Sequence, residues 1–206
     1  VAMGDGEFGG QLLMGGLPGN GWDGRSRTPI SGRTEGESTQ LVGDGVEVQI
    51  ANNQANVTLA RTGTTGTLPR VKRRSVMSGR PAPNGSIRLF DGSDASAFKR
   101  AKVVDGLLQV GTELIPTFRN FHLHVEFVVP YMPRSRGQAR ANSGVYLQSR
   151  YEVQILDSFG LEGKFNECGA LYRQKPADLN MAFPPLSWQS YDIVFRAPTF
   201  DDAQNK

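Results

Sequence analysis

The chain has 206 residues, of which 38% are hydrophobic, and its formal net charge at pH 7 is +3. This length predicts one domain with a smaller appendage, the composition excludes disorder throughout the chain, and the small charge argues against a nucleic-acid partner. The 25 glycines and 12 prolines are typical of a turn-rich β protein. No run of 18 apolar residues occurs, so the sequence predicts no membrane span.

Residues 1–75 predict a small, glycine-rich β region. Apolar and polar residues alternate over 46–50 and again over 57–59, and two turn-forming residues, Asn52 and Asn53, lie between the two runs. Two such runs around a turn are the sequence pattern of a β-hairpin. Residues 76–85 contain two prolines and predict a linker, after which residues 86–206 form the second and larger predicted domain.

The second half of the chain shows the same two-residue period more strongly. Asp105-Gly106 predicts a tight hairpin turn, and no convincing helical stretch occurs. The pattern therefore predicts an all-β protein, a sandwich or a barrel. Strands are expected at 121–127, 145–148, 152–155 and 191–195.

These strands carry unusual polar residues on the face that is expected to point away from the core. Amides, carboxylates and a phenol pair well with sugar hydroxyls, which both donate and accept hydrogen bonds. The face therefore predicts a carbohydrate-binding surface, and an ordinary solvated face is the alternative. Its members are His122, His124, Glu126, Asn142, Tyr146, Gln148, Glu152 and Gln154.

Three of these residues allow a second interpretation. His122, His124 and Glu126 alternate along one strand, so their side chains point to the same side and are candidate ligands for a divalent metal. A surface pair of histidines without a metal is the other interpretation. The common phosphate-binding, serine-hydrolase and zinc-protease motifs do not occur.

Several motifs follow one another in an order that is specific to one family. Over residues 86 to 201 the chain resembles the 3-keto-disaccharide hydrolase family, also called domain of unknown function 1080. Residues 5–24 resemble the extra N-terminal β region of long, planctomycete-type members. The motifs that carry the main resemblance are FHLHVEF (121–127), NSGVYLQ (142–148), YEVQILD (151–157), GALY (169–172) and WQSYDI (188–193).

The resemblance implies a concanavalin A-like jelly-roll sandwich in which a curved sheet presents its concave face to a carbohydrate. Family members continue beyond the WQSYDI strand, so the chain is expected to be truncated and to lack C-terminal strands. Such domains generally serve secreted or periplasmic polysaccharide processing, which is the expected location.

The resemblance also implies action on glycosides that are already oxidised at C3. A ketone at C3 acidifies the hydrogen on C2, so a modest base removes it, and the enolate then expels the substituent at C1. Addition of water completes a net hydrolysis. Hydrolysis by two carboxylates is the competing mechanism, and a non-catalytic carbohydrate-binding module on the same fold is the alternative function. A third hypothesis is a fragment with an unfinished site.

By position in the family motifs, Glu152 is the predicted base or metal ligand, and Glu126 is its predicted catalytic partner. A divalent metal is a candidate cofactor, and no cofactor is certain. His122 and His124 lie outside the family motif and are metal candidates from the residues alone. The predicted substrate-binding residues are Asn142, Tyr146, Gln148, Gln154 and Tyr172.

Overall fold

The computed structural model describes residues 1–200 and confirms the all-β prediction. Within that range one short 3-10 helix, Gly137–Ala139, interrupts the strands, and the sheets are open rather than closed into a barrel, consistent with a jelly-roll β-sandwich. No helix among these residues is long and apolar enough to cross a membrane. The strands are β1 (Ala2–Gly4), β2 (Glu7–Leu13), β3 (Arg27–Glu35), β4 (Ser38–Gly43), β5 (Val46–Ala51), β6 (Gln54–Leu59), β7 (Thr64–Pro69), β8 (Phe98–Lys99), β9 (Val103–Val104), β10 (Leu107–Leu108), β11 (Glu113–Leu114), β12 (Phe121–Phe127), β13 (Ser143–Leu147), β14 (Tyr151–Ile155) and β15 (Gln189–Phe195).

The N-terminal β region is a seven-stranded antiparallel sheet in which β1 to β7 pair in sequence order. Its register sets Leu41 opposite Val48 and Val48 opposite Val57. Because residues opposite one another share a face, these side chains form one buried cluster, joined by Ile30 and Val46. The alternation seen in the sequence over 46–50 arises because successive side chains point in turn to the face that carries this cluster and to the opposite face.

The predicted hairpin at 46–59 is confirmed as β5–β6. Its turn residues, Asn52 and Asn53, have φ angles of 50° and 60°. Two successive positive φ values are what a type I′ turn requires, and asparagine tolerates the left-handed region better than most residues. Asp105-Gly106 connects β9 and β10 in the same way, with φ angles of 50° and 73°.

We expect Asn53→Val to lower the free energy of unfolding by about 1–2 kcal/mol, because a β-branched side chain is strained at a positive φ. Asn53→Gly removes that strain and is expected to keep or raise the stability. Urea unfolding of both variants measures the difference. Equal stabilities for the valine and glycine variants would mean that the turn is not type I′ in solution.

The contacts divide the chain into two compact units, each made of two segments. The first contains residues 1–74 and 127–189, and the second contains residues 75–126 together with the segment after 189. The first includes the seven-stranded sheet and the β13–β14 pair, whereas the second includes β8–β11 and β9–β10 and most of the β12–β15 pair. The predicted division at residues 75 and 86 stays a prediction.

A buried ion pair connects the two ends of the β13–β14 hairpin. The Arg140 Nε donates to Asp157 Oδ2 at 2.7 Å, and the two side chains are only 5% and 1% exposed. The Asp157 backbone N–H donates to the Arg140 carbonyl at 3.3 Å. Arg140 precedes β13 and Asp157 follows β14, so the pair closes the hairpin at the end opposite its turn.

Candidate functional site

The β13–β14 hairpin brings two predicted site residues into direct contact. Tyr146 and Glu152 are opposite each other in the antiparallel register. The Tyr146 hydroxyl donates to Glu152 Oε2 at 2.8 Å. Glu152 is half-buried, whereas Tyr146 is 64% exposed, so the pair lies at a surface that a ligand can reach.

This contact changes the acidity of the phenol. The hydrogen bond to the Glu152 carboxylate raises the pKa of Tyr146 above its ordinary value, and desolvation and the carboxylate charge act in the same direction. An electrostatic interaction with Tyr172 adds a smaller contribution that also raises the pKa of Tyr146. The phenol is therefore held in its protonated form and remains a hydrogen-bond donor across the neutral pH range.

Tyr172 is the third predicted residue in this group. Leu171 forms a β-bridge with Val153, and the Tyr172 backbone N–H donates to the Glu152 carbonyl at 2.9 Å. The segment that carries Tyr172 therefore runs beside β14. Glu152, Tyr146 and Tyr172 form one cluster, which we call the Glu152 cluster.

Gln154 does not lie on an open face. Its side chain is fully buried, with 0% exposure, and its amide lies 2.8 Å from the amide of Gln138. With the amide nitrogen directed towards β13, Gln154 donates to the Ser143 carbonyl at 2.7 Å and to Glu152 Oε1 at 3.2 Å. The expected exposure of Gln154 is therefore corrected: the segment that contains Gln138 covers it.

The other two amides are exposed. Gln148 was expected to continue strand β13, but the strand ends at Leu147, and Gln148 and Ser149 form a turn with φ angles of 54° each. No glycine, asparagine or proline marks this turn, so the sequence carried no signal for it. Asn142 directly precedes β13 and is exposed. Substrate contact by Asn142 and Gln148 stays a prediction.

His122, His124 and Glu126 belong to the other compact unit. They point to one side of β12, as the alternation predicted, and Asp192 of β15 joins them. The distance from Asp192 Oδ1 is 3.0 Å to His124 Nδ1 and 3.7 Å to His122 Nε2. His124 Nε2 lies 3.4 Å from Glu126 Oε1. Sequence reasoning missed Asp192: the alternation over 191–195 placed it on the polar face, but nothing local shows that β15 pairs with β12.

The imidazoles and carboxylates of this second group are engaged with one another and with the backbone. Glu126 Oε1 also accepts a hydrogen bond from the Gly79 backbone N–H at 2.6 Å. Over residues 1–200, no three His, Cys, Asp or Glu side chains are arranged to hold a metal ion. The metal role of His122 and His124 stays a prediction without support from the geometry, and the catalytic role of Glu126 also stays a prediction.

His124 has a raised pKa. Partial burial lowers it, but the hydrogen bonds to Asp192 and Glu126 and the two carboxylate charges together raise it more. A histidine whose pKa is higher in the folded than in the unfolded state stabilises the fold when it is protonated. That stabilisation is complete below the unfolded pKa of about 6.5 and is lost as the pH rises through the higher folded pKa.

We therefore expect His124→Gln to be most destabilising at acidic pH. The difference in free energy of unfolding between wild type and variant should be larger near pH 5.5 than near pH 8.5, values about one unit or more to either side of the unfolded pKa. Urea unfolding at both pH values measures it. His122→Gln, which removes a more exposed imidazole 3.7 Å from Asp192, is the matched control. A His124 difference that does not vary with pH would contradict the expectation.

The structure thus combines an open all-β fold with a carboxylate that a tyrosine holds at an accessible surface. Residues 85–205 match the family described as 3-keto-alpha-glucoside-1,2-lyase-like domain. The match covers more than half of the chain, and the chain belongs to this family. No curated protein and no solved structure matches the chain. The relation to 3-keto-glycoside lyases supports a sugar-processing role.

Proposed function

We propose that this protein cleaves glycosides oxidised at C3 by elimination at C1 followed by hydration. The observation that carries the proposal is the Tyr146–Glu152 pair, with 2.8 Å between the hydroxyl and Oε2. A base and a proton donor in direct contact are what this chemistry needs at neighbouring carbons of one sugar. Membership of the lyase-like family supports the choice of substrate.

In the first step Glu152 removes the proton from C2, and the electrons of the C–H bond delocalise onto the C3 oxygen as an enolate. Carboxylates are weak bases, but the neighbouring ketone makes the C2 hydrogen acidic enough for one. Half-burial of Glu152 keeps part of the water away from the carboxylate. Asn142 and Tyr172 are assigned to contact the sugar, with the exposed amide of Asn142 as a donor to the enolate oxygen.

In the second step the enolate re-forms the C3 ketone, the C1–O bond breaks, and a double bond forms between C1 and C2. Tyr146 gives its proton to the departing oxygen and recovers one from the protonated Glu152, with which it is in contact. The leaving group thereby carries away the proton of Tyr146, and the proton taken from C2 replaces it on the phenol. Water then adds across C1 and C2, its hydroxyl to C1 and its proton to C2, which releases the free 3-keto sugar.

The local geometry favours elimination over hydrolysis by two carboxylates. That mechanism places a second carboxyl group about 5–9.5 Å across the glycosidic bond from the first. The group that faces Glu152 across the hairpin is a phenol with a raised pKa. A phenol is suited to donating a proton and not to activating water at neutral pH.

The test is a 3-keto-glucoside with a chromogenic aglycone, with the corresponding unoxidised glucoside as the control. We expect release of aglycone from the ketone substrate only, and a slower reaction when C2 carries deuterium. Cleavage of both substrates without an isotope effect would overturn the elimination mechanism. Saturable binding of the sugar without turnover would instead identify a carbohydrate-binding module.

A further inference from the structure

Gly144 lies directly beneath the Glu152 carboxylate. In the β13–β14 register Gly144 is opposite Gln154, two pairs along from Tyr146 and Glu152 and therefore on the same face of the hairpin. A Cβ atom placed on Gly144 would overlap the Glu152 side chain, at 2.6 Å from Cγ and 2.8 Å from Cδ, and would also collide with Oε1. The side chain of Glu152 therefore lies flat across the space that any other residue at position 144 would fill.

The glycine is not explained by its backbone conformation. Most glycines of this chain have a positive φ, but Gly144 does not and sits inside a regular strand. Glycine in the interior of a strand weakens it and commonly marks a close approach of another group. The close approach at Gly144 is made by the Glu152 carboxylate and by no backbone atom among the three nearest contacts.

We propose that Gly144 is the positioning residue of the Glu152 cluster: its missing side chain lets the Glu152 carboxylate lie across the hairpin and meet the Tyr146 hydroxyl. The catalytic consequence of this inference rests on the proposed function, but the positioning itself does not. With an alanine at position 144, the carboxylate would have to rotate towards solvent, because its Cγ, Cδ and Oε1 all conflict with the new methyl group.

The first readout is the pKa of Tyr146, which is measured by monitoring the ultraviolet absorbance of the phenolate as the pH is raised. Tyr146→Phe identifies the contribution of Tyr146 among the five tyrosines. The hydrogen bond from Tyr146 to Glu152 raises the pKa of this phenol. Gly144→Ala is expected to lower the pKa of Tyr146 towards the ordinary value of about 10, and Glu152→Gln is expected to lower it in the same way. An unchanged titration in a folded Gly144→Ala protein would overturn the proposal.

Gly66→Ala is the matched control. Gly66 also lies inside a strand, β7, without a positive φ, and a Cβ added there meets nothing within 4 Å. Substitution of Gly66 by alanine should change neither the pKa of Tyr146 nor the turnover of the 3-keto-glucoside. A shift as large as that of Gly144→Ala would show a general effect of alanine in a strand and would also overturn the proposal.

Two further measurements decide the cases in which Gly144→Ala does not fold or the wild type shows no turnover. If Gly144→Ala does not fold, the double variant Gly144→Ala/Glu152→Ala should fold, because the conflicting atoms are gone; failure of the double variant would contradict the inference. In the 3-keto-glucoside assay, Gly144→Ala should lower kcat about as much as Glu152→Gln, with little change in KM. If wild type shows no turnover at all, the proposed function fails, while the Tyr146 titration still decides the positioning role.

Discussion

Glu152→Gln is expected to lower the release of aglycone from a 3-keto-glucoside by about 100- to 10,000-fold, the usual contribution of a general base. The amide keeps the size of the carboxylate and can still meet the Tyr146 hydroxyl, which now lies 2.8 Å from Oε2. It cannot take a proton from C2. The loss should therefore appear in kcat, and the affinity for the substrate should change little.

Two further variants make this result specific. Glu162→Gln removes an exposed carboxylate of the same unit, which pairs with Lys164 at 3.2 Å, and should retain full activity. Tyr146→Phe removes the proposed acid. It should lower the cleavage rate more for substrates with poor leaving groups than for substrates with good ones, because good leaving groups depart without a proton. Full activity in Glu152→Gln would remove Glu152 from the mechanism and favour a base elsewhere in the chain.

The part of the site that was predictable from sequence is the part that depends on local patterns. Period-2 alternation placed Tyr146 and Glu152 on polar faces, and Asn52-Asn53 and Asp105-Gly106 marked hairpin turns through residues that tolerate positive φ. These features need only the chemistry of adjacent residues. The open-sheet, all-β architecture follows from the same patterns together with the family motifs.

The remaining features depend on contacts between distant segments. Gln154 is buried because the segment around Gln138 packs over it, and Asp192 reaches His124 because β15 pairs with β12. The turn at Gln148 and Ser149 lacks the glycine, asparagine or aspartate that two positive φ angles favour, and it follows from the register of the hairpin. Neither packing nor register can be derived from alternation alone, since a strand pattern gives the face of a residue and not its neighbour.

The second large effect expected is on stability. Arg140→Met should lower the free energy of unfolding by about 3–5 kcal/mol, the usual cost of removing one partner of a buried ion pair. The Asp157 side chain is 1% exposed, and its Oδ1 already has no hydrogen-bond partner among the described residues. Without Arg140 the carboxylate would stay buried and lose the cation that donates a hydrogen bond to it. Arg140 also donates from Nη1 to the Ala2 carbonyl at 2.9 Å, and this bond would be lost too.

Urea unfolding monitored by circular dichroism measures this effect, with Arg134→Met as the control. Arg134 pairs with Asp5 at 2.6 Å, but the two side chains are 79% and 75% exposed, so its loss should change stability little. The double variant Arg140→Met/Asp157→Leu should recover most of the lost stability, because it leaves no buried charge unpaired. Equal losses in the single and double variants would instead assign the effect to packing of the arginine stem.

The same pair has a consequence for the Glu152 cluster. Arg140 and Asp157 close the end of the hairpin whose strands carry Tyr146 and Glu152, and their backbones are joined at 3.3 Å. The double variant keeps the backbone hydrogen bond between residues 140 and 157 but loses the ion pair between their side chains. If the Arg140–Asp157 ion pair only stabilises the fold, the double variant should retain both the raised pKa of Tyr146 and the turnover of the 3-keto-glucoside. If the ion pair also sets the register of β13 against β14, the pKa of Tyr146 and the turnover should both decrease while the protein remains folded.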